Sequence, residues 1–264
     1  VLFTIMFEGW EEGAAPGVGP MGNALKPGYY DTANAGWAKY AANNGLERQL
    51  KILKEEGIKA SVFCSGVQME RHPDLIKKIA AEGHEVCLHS LAQNIIPIYL
   101  DEATEREQMS HCLDLAVSLT GKHPVGYCSP RCTPSLSTSK LLAENGLKYT
   151  IDWMGSDLPM VEHTEAGDIC LMPFPMNVND MPLYVRYGNA PDQYYRNLVD
   201  EFDNWYAKHP EEKVVYWVTA HSHVFGRPFG AVQFQRCIQY IKSLPYVWIA
   251  QPHEVASTVL DVTY

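Results

Sequence analysis

The chain has 264 residues, of which 46% are hydrophobic and 20% charged. That composition supports a folded core without staples and argues against disorder. The formal net charge is −10, so a nucleic-acid or anionic-membrane binder, which needs a basic face, is not expected, and no apolar run reaches the roughly 20 residues of a membrane span.

In chain order, Leu2 to Phe7 reads as a first strand, and the chain opens at Val1 already inside it, where a natural N-terminal segment is open to having been lost. A Gly- and Pro-rich loop follows from Gly9 to Gly28. Leu46, Leu50 and Leu53 recur at i, i+4 and i+7, the stripe of an amphipathic helix that stops at Gly57, and Ala60 to Cys64 reads as a strand. The same phrase recurs in Pro73 to Glu82 (helix), Gly83, and Glu85 to His89 (strand). It recurs again in Ser135 to Asn145, Gly146, and Tyr149 to Asp152. In each case a Gly just past the helix takes the left-handed cap and the chain turns into a strand. Asp101 to Thr120 reads as a helix before a short strand near Gly126 to Cys128. Later come a helix over Asp192 to Lys208, a strand over Val214 to Ala220, a helix over Gly230 to Ser243, a strand over Val247 to Ala250, and a last helix from Pro252.

Roughly seven strand–helix units with no linker between them predict a single α/β domain over 1–264. No Gly-rich phosphate loop follows the first strand, which favours a (β/α)7-type barrel over an open dinucleotide-binding sheet. Residues 154–190, dense in Pro, Met, Asn and Asp, break the rhythm and read as a long loop excursion over one barrel end. Seven cysteines without a CxxC pair, several inside apolar runs, read as reduced, buried thiols of a cytoplasmic protein. No signal peptide is read.

In a barrel of this kind the chemistry lies at the C-terminal strand ends. The first polar residues there are Glu8, Ser65, His89 with Ser90, Arg131, Asp152 beside Trp153 and ahead of Asp157, His221 with His223, and Gln251. One carboxylate base, imidazoles and a guanidinium at one mouth form a hydrolase-like inventory. Each also has a structural reading. Glu8 as an acceptor for the Gly-rich loop, His89 as a satisfied core histidine, Arg131 as a clamp, and Asp157 and Asp180 as turn formers before a hydrophobe and Pro are the simplest of these. Nothing in the sequence marks Cys128 or Cys132 as an activated nucleophile. The remaining histidines (His72, His84, His111, His123, His163, His209 and His253) read as surface or loop positions.

The strings Gly57-Ile58-Lys59-Ala60-Ser61-Val62-Phe63, Arg71-His72-Pro73, Gly83-His84-Glu85-Val86 and His89-Ser90 together resemble the polysaccharide deacetylase superfamily. The late string His221-Ser222-His223-Val224-Phe225-Gly226-Arg227-Pro228 resembles the subgroup of metal-independent allantoinases and cyclic imide hydrolases, as do Ser156-Asp157-Leu158-Pro159 and Asn179-Asp180-Met181. The resemblance implies a distorted barrel, a small-molecule substrate, and a homo-oligomer with a tetramer favoured.

The departures carry most of the information. Metal-dependent members of that superfamily have Phe-Asp-Asp-Gly after the first strand, its first Asp the base and its second a metal ligand. Phe7-Glu8-Gly9 keeps a base and lacks the ligand. Their second motif has His-(x)3-His, whereas here His89 is followed at that spacing by Gln93. Two of three expected ligands are absent, and a catalytic divalent ion usually takes three, so no metal is expected unless Glu11 or Glu12 moves in. Water then keeps a pKa of about 15.7, against about 7 when zinc-bound. A carboxylate base working against that deficit favours a cyclic amide, imide or ureide, whose departing nitrogen is stabilised by a second carbonyl. The expected assignment is Glu8 as base, in a partly apolar mouth that raises its pKa, with His221 as acid, Arg131 at the oxyanion and His89 orienting the base. Trp10, Gln93, Trp153, Asp157 and Asp180 are expected to contact the substrate. Two alternatives stand beside it: a zinc-type metal-dependent deacetylase or amidase, and a non-catalytic carbohydrate-binding relic of the fold.

Overall fold

Alternate residues of β1 (Leu2–Phe7) serve two different cores. Phe3, Ile5 and Phe7 pack between sheet and helices, while Leu2 and Met6 join a second apolar cluster with Phe63, Cys87, Tyr149 and Trp217 inside the curl of the sheet. This is the two-residue period of a strand buried on both faces. The structure, a computed structural model, describes residues 1–16, 25, 26 and 28–261. The predicted loop from Gly9 to Gly28 therefore lies partly outside the described residues.

The sheet continues through β2 (Ser61–Cys64), β3 (Glu85–Leu88), β4 (Gly126–Tyr127), β5 (Tyr149–Trp153), β6 (Met160–Thr164), β7 (Gly167–Pro173), β8 (Val178–Asn179) and β9 (Trp217–His221). Its order is β6-β7-β5-β4-β3-β2-β1-β9-β8, and every pairing is parallel except β6 with β7. The expected single-domain distorted barrel is present. The strands curl around one interior cluster, and the ladder ends at β6 and β8 without closing on itself.

The helices among the described residues are α1 (Thr32–Tyr40), α2 (Leu46–Glu56), α3 (Gly66–Arg71), α4 (Pro73–Ala81), α5 (Glu102–Thr120), α6 (Thr138–Glu144), α7 (Gln193–Glu201), α8 (Pro228–Ser243) and α9 (Pro252–Leu260). The repeated cap is as expected: Gly57, Gly83 and Gly146 follow α2, α4 and α6 at φ of 69°, 80° and 76°.

Two expectations are corrected. Residues 154–190 are not a plain excursion, because they hold β6, β7 and β8. Thr164 pairs with Gly167 across a two-residue turn, making an antiparallel hairpin at the sheet edge. Val247 to Ala250 is not a strand; only Ala250 bridges to Leu2. His84 lies in the loop before β3, as read, and is buried there, its Nδ1 accepting the Ala60 N–H at 3.3 Å. No helix among the described residues is long and apolar enough to cross a membrane.

Candidate active site

Parity puts the side chain after β1 on the inner face. Leu2, Met6 and then Glu8 share that face, and in β9 Trp217 and His221 do the same. Thr4 and Thr219 meet below them, Oγ1 to Oγ1, at 2.9 Å. Glu8 and His221 thus emerge side by side from neighbouring strands, Glu8 Oε1 lying 3.5 Å from His221 Nε2. His89, just beyond β3, closes on the same oxygen at 3.3 Å. Its Nδ1 lies 2.8 Å from the Cys128 carbonyl, which can only accept, so Nδ1 bears a proton and the ring is held fixed.

Asp180 stands behind His221 rather than facing substrate. It is fully buried, its Oδ1 lies 2.6 Å from His221 Nδ1, and it also accepts the backbone N–H groups of His221 and Phe225. Asp180 does not line the cavity, contrary to the expected substrate contact, and it holds the His221 ring. The result is a linear array Asp180–His221–Glu8.

The electrostatics correct a second expectation. Burial alone would push the Glu8 carboxyl up, but the charge and hydrogen bond of His221, with the hydrogen bond of His89, hold it well below the ordinary carboxylate range. Burial pulls the other way on His221, and Asp180 and Glu8 together lift it to about 10. At neutral pH the pair is carboxylate and imidazolium.

His223, named at the strand end but given no role, completes the array. It is fully buried, with Nε2 3.7 Å from Glu8 Oε2 and neither ring nitrogen hydrogen-bonded. Burial keeps it neutral, with its pKa lowered to about 3. Trp10 and Trp37 pack edge-on against it at centroid distances of 5.2 and 4.7 Å. His223 lies in the turn that begins just past the end of β9 at His221.

A cavity of about 630 Å³ opens over this array, a size suited to a small molecule. Glu8, His89, His221, Trp10, Gln93 and Arg131 all line it, as expected. Arg131 sits in an irregular turn at φ 60°, followed by Cys132 at φ 50°, and non-glycine residues held there store about 1–3 kcal/mol each. Asp157 and Trp153 do not line the cavity. Asp157 is exposed, and its carbonyl bonds Val215 N–H ahead of β9, away from the end that carries His221. A register shift between Thr150 and Trp153 breaks the alternation of β5, so Asp152 meets the Ser129 N–H and Trp153 packs over Gly155. Phe174, Met176 and Arg186 line the cavity, and sequence reasoning did not single them out.

The superfamily's metal position does not fit the residues present. A Cβ at Gly9 would lie 2.7 Å from Val67 Cγ2 and 2.8 Å from Gln68 Cγ, so no carboxylate side chain has room there. Gln93 turns its amide nitrogen onto Ser65 Oγ at 3.1 Å. Glu11 and Glu12 do not compensate, being exposed and engaged with Asn94 and with Tyr30 and Lys39. Cys128 and Cys132 of the cavity wall, with Asp152 outside it, bring donor atoms within 4.8 Å of one another, a set whose thiols suit a zinc-class ion.

Residues 28–150 match the polysaccharide deacetylase family. A peptidoglycan deacetylase of Helicobacter pylori is 24% identical over 254 residues, covering 84% of this chain and 85% of that protein. The solved structure of a probable polysaccharide deacetylase from Pseudomonas aeruginosa PAO1 superposes with a TM-score of 0.86 at 27% identity, covering 97% of this chain and 88% of the other. PuuE allantoinase superposes equally well, with a TM-score of 0.86 at 28% identity and the same coverage. Sequence and shape agree with the strand-end motifs in likening the chain to the polysaccharide deacetylase superfamily.

Proposed function

We propose that this hydrolase opens a cyclic amide, imide or ureide, using Glu8 as general base and His221 as general acid. The observation that carries the reading is a carboxylate and an imidazolium 3.5 Å apart in a small-molecule cavity where Gly9 leaves no room for the superfamily's second ligand. The reaction follows from those charge states. Glu8 takes a proton from water as the water oxygen bonds to the ring carbonyl carbon, and the oxyanion forms beside Arg131. The carbon–nitrogen bond breaks as His221 gives its proton to the leaving nitrogen. Glu8 then returns its proton to His221 directly, and a ring-opened acid is released. Asp180 and His89 hold the two reacting groups in place.

A carboxyl held so low is a weak base, and that constrains the substrate. Attack is feasible on a carbonyl whose nitrogen leaves readily, which a second carbonyl on that nitrogen provides. A sugar acetamide lacks that help. The likeness to an allantoinase supports the ureide branch of the proposal.

The test is turnover of allantoin, hydantoins, succinimide-type imides and N-acetylated sugars by the purified chain, with and without a strong chelator. Ring opening that survives chelation is expected. Turnover of an acetylated sugar alone, abolished by chelation, would replace this reading with a metal-dependent deacetylase. Sugar binding without turnover of any compound would make the chain a binding relic of the fold.

A further inference from the structure

The chain has eight arginines. Six of them are engaged by protein: Arg48, Arg71, Arg106, Arg196, Arg227 and Arg236 each have a hydrogen-bond, ion-pair or aromatic partner. The two whose guanidinium groups have no partner among the described residues are Arg131 and Arg186, and both line the cavity over Glu8. They reach it from different parts of the fold. Arg131 follows β4, and Arg186 ends the helical turn Met181–Arg186 that follows β8.

This is an unusual place to leave guanidinium groups in a chain of net charge −10. Glu8 is the only carboxylate residue lining that cavity among the described residues, and it is already shared by His89 and His221. With His221 carrying its proton, the lining holds more positive than negative charge. A guanidinium presents a planar fork of N–H donors that matches a carboxylate in two parallel hydrogen bonds. One of the pair is already assigned to the oxyanion of the reaction, which leaves Arg186 for a charge the substrate brings with it.

We infer that the ring opened in this cavity bears a carboxylate substituent, bound by Arg186, while Arg131 serves the oxyanion. The inference rests on the ring-opening reading and names the substrate class within it. Arg186 is a specificity residue here and takes no part in bond breaking. Neutral rings fit the same chemistry and lack the anchor.

The test uses two hydantoins of equal size, one with a carboxymethyl arm and one with the matching carboxamide arm. The full chain is expected to favour the carboxylate at least tenfold in kcat/KM. Arg186→Gln is expected to erase that preference mainly through KM, and Arg186→Lys to restore part of it. Added salt should raise KM for the charged ring alone. Equal or better use of the carboxamide, or a preference untouched by Arg186→Gln, overturns the inference. Should neither ring open, the ring-opening reading is what has failed. Equilibrium binding of the same two rings then decides the inference by the same criterion, and circular dichroism confirms that each variant is folded.

Discussion

The cavity has two walls built on opposite terms. On one, Glu8, His89, His221 and Asp180 are all buried, and each is fixed by a second contact to a ring, a carbonyl or a backbone N–H. On the other, Arg131 is exposed and lies in a left-handed turn, and its guanidinium has no partner among the described residues. On the proposed reading, the difference separates proton transfer from the binding of negative charge. Proton transfer needs groups held within tenths of an ångström and a fixed charge state. Reading a ligand's charge needs a cation that the protein has not already neutralised.

The largest effect should come from the fixed wall. His221→Asn removes the acid and should lower kcat by about 10²- to 10⁴-fold, measured by steady-state turnover of a ring substrate. Asp180→Asn is expected to be next, and its signature is a pH shift. His221 is lifted to about 10, so the acid stays protonated below that pH and activity falls as pH rises through it. Without the Asp180 carboxylate the folded-state pKa drops toward the ordinary histidine value of about 6.5. The alkaline limb of the kcat profile should therefore move to lower pH. A profile unchanged in Asp180→Asn would show that the carboxylate does not set the acid.

The other wall should yield less. Arg131→Ala is expected to lower kcat by about tenfold, below the 10²–10³ typical of a buried oxyanion donor, because water reaches the exposed side chain. A loss as large as that of His221→Asn would place Arg131 on the fixed wall after all. The smallest effect concerns the lost ligand. Gly9→Asp should not build a metal site, since its Cβ would meet Val67 and Gln68. It should instead destabilise the fold by about 1–3 kcal/mol, seen in denaturant unfolding, with no stoichiometric ion in the purified protein.

Much of this was legible in the residues. The strand–Gly-capped helix phrase around Gly57, Gly83 and Gly146 marked the parallel half of the sheet, because cap chemistry and two-residue alternation are local. Glu8, His89 and His221 were readable as strand-end groups for the same reason. What was not readable depended on how strands pair. The bulge in β5 that turns Trp153 away from the cavity is a property of its register with β7. The role of Asp180 was hidden because its neighbours Asn179 and Met181 suggest a turn. Only the pairing of β8 with β9 brings Asp180 under the His221 ring. The low pKa of Glu8 was misjudged for a related reason. A partly apolar mouth argues for a raised carboxyl, and the sequence does not show three imidazoles converging within 3.7 Å of it.

The most direct test of the proton relay is the turnover of Glu8→Gln on whichever cyclic substrate the wild-type chain opens. The amide keeps the shape of the side chain and cannot take a proton from water. The account predicts a fall in kcat of at least about a hundredfold, with unchanged circular dichroism. A variant that keeps most of the wild-type turnover would show that Glu8 is not the base.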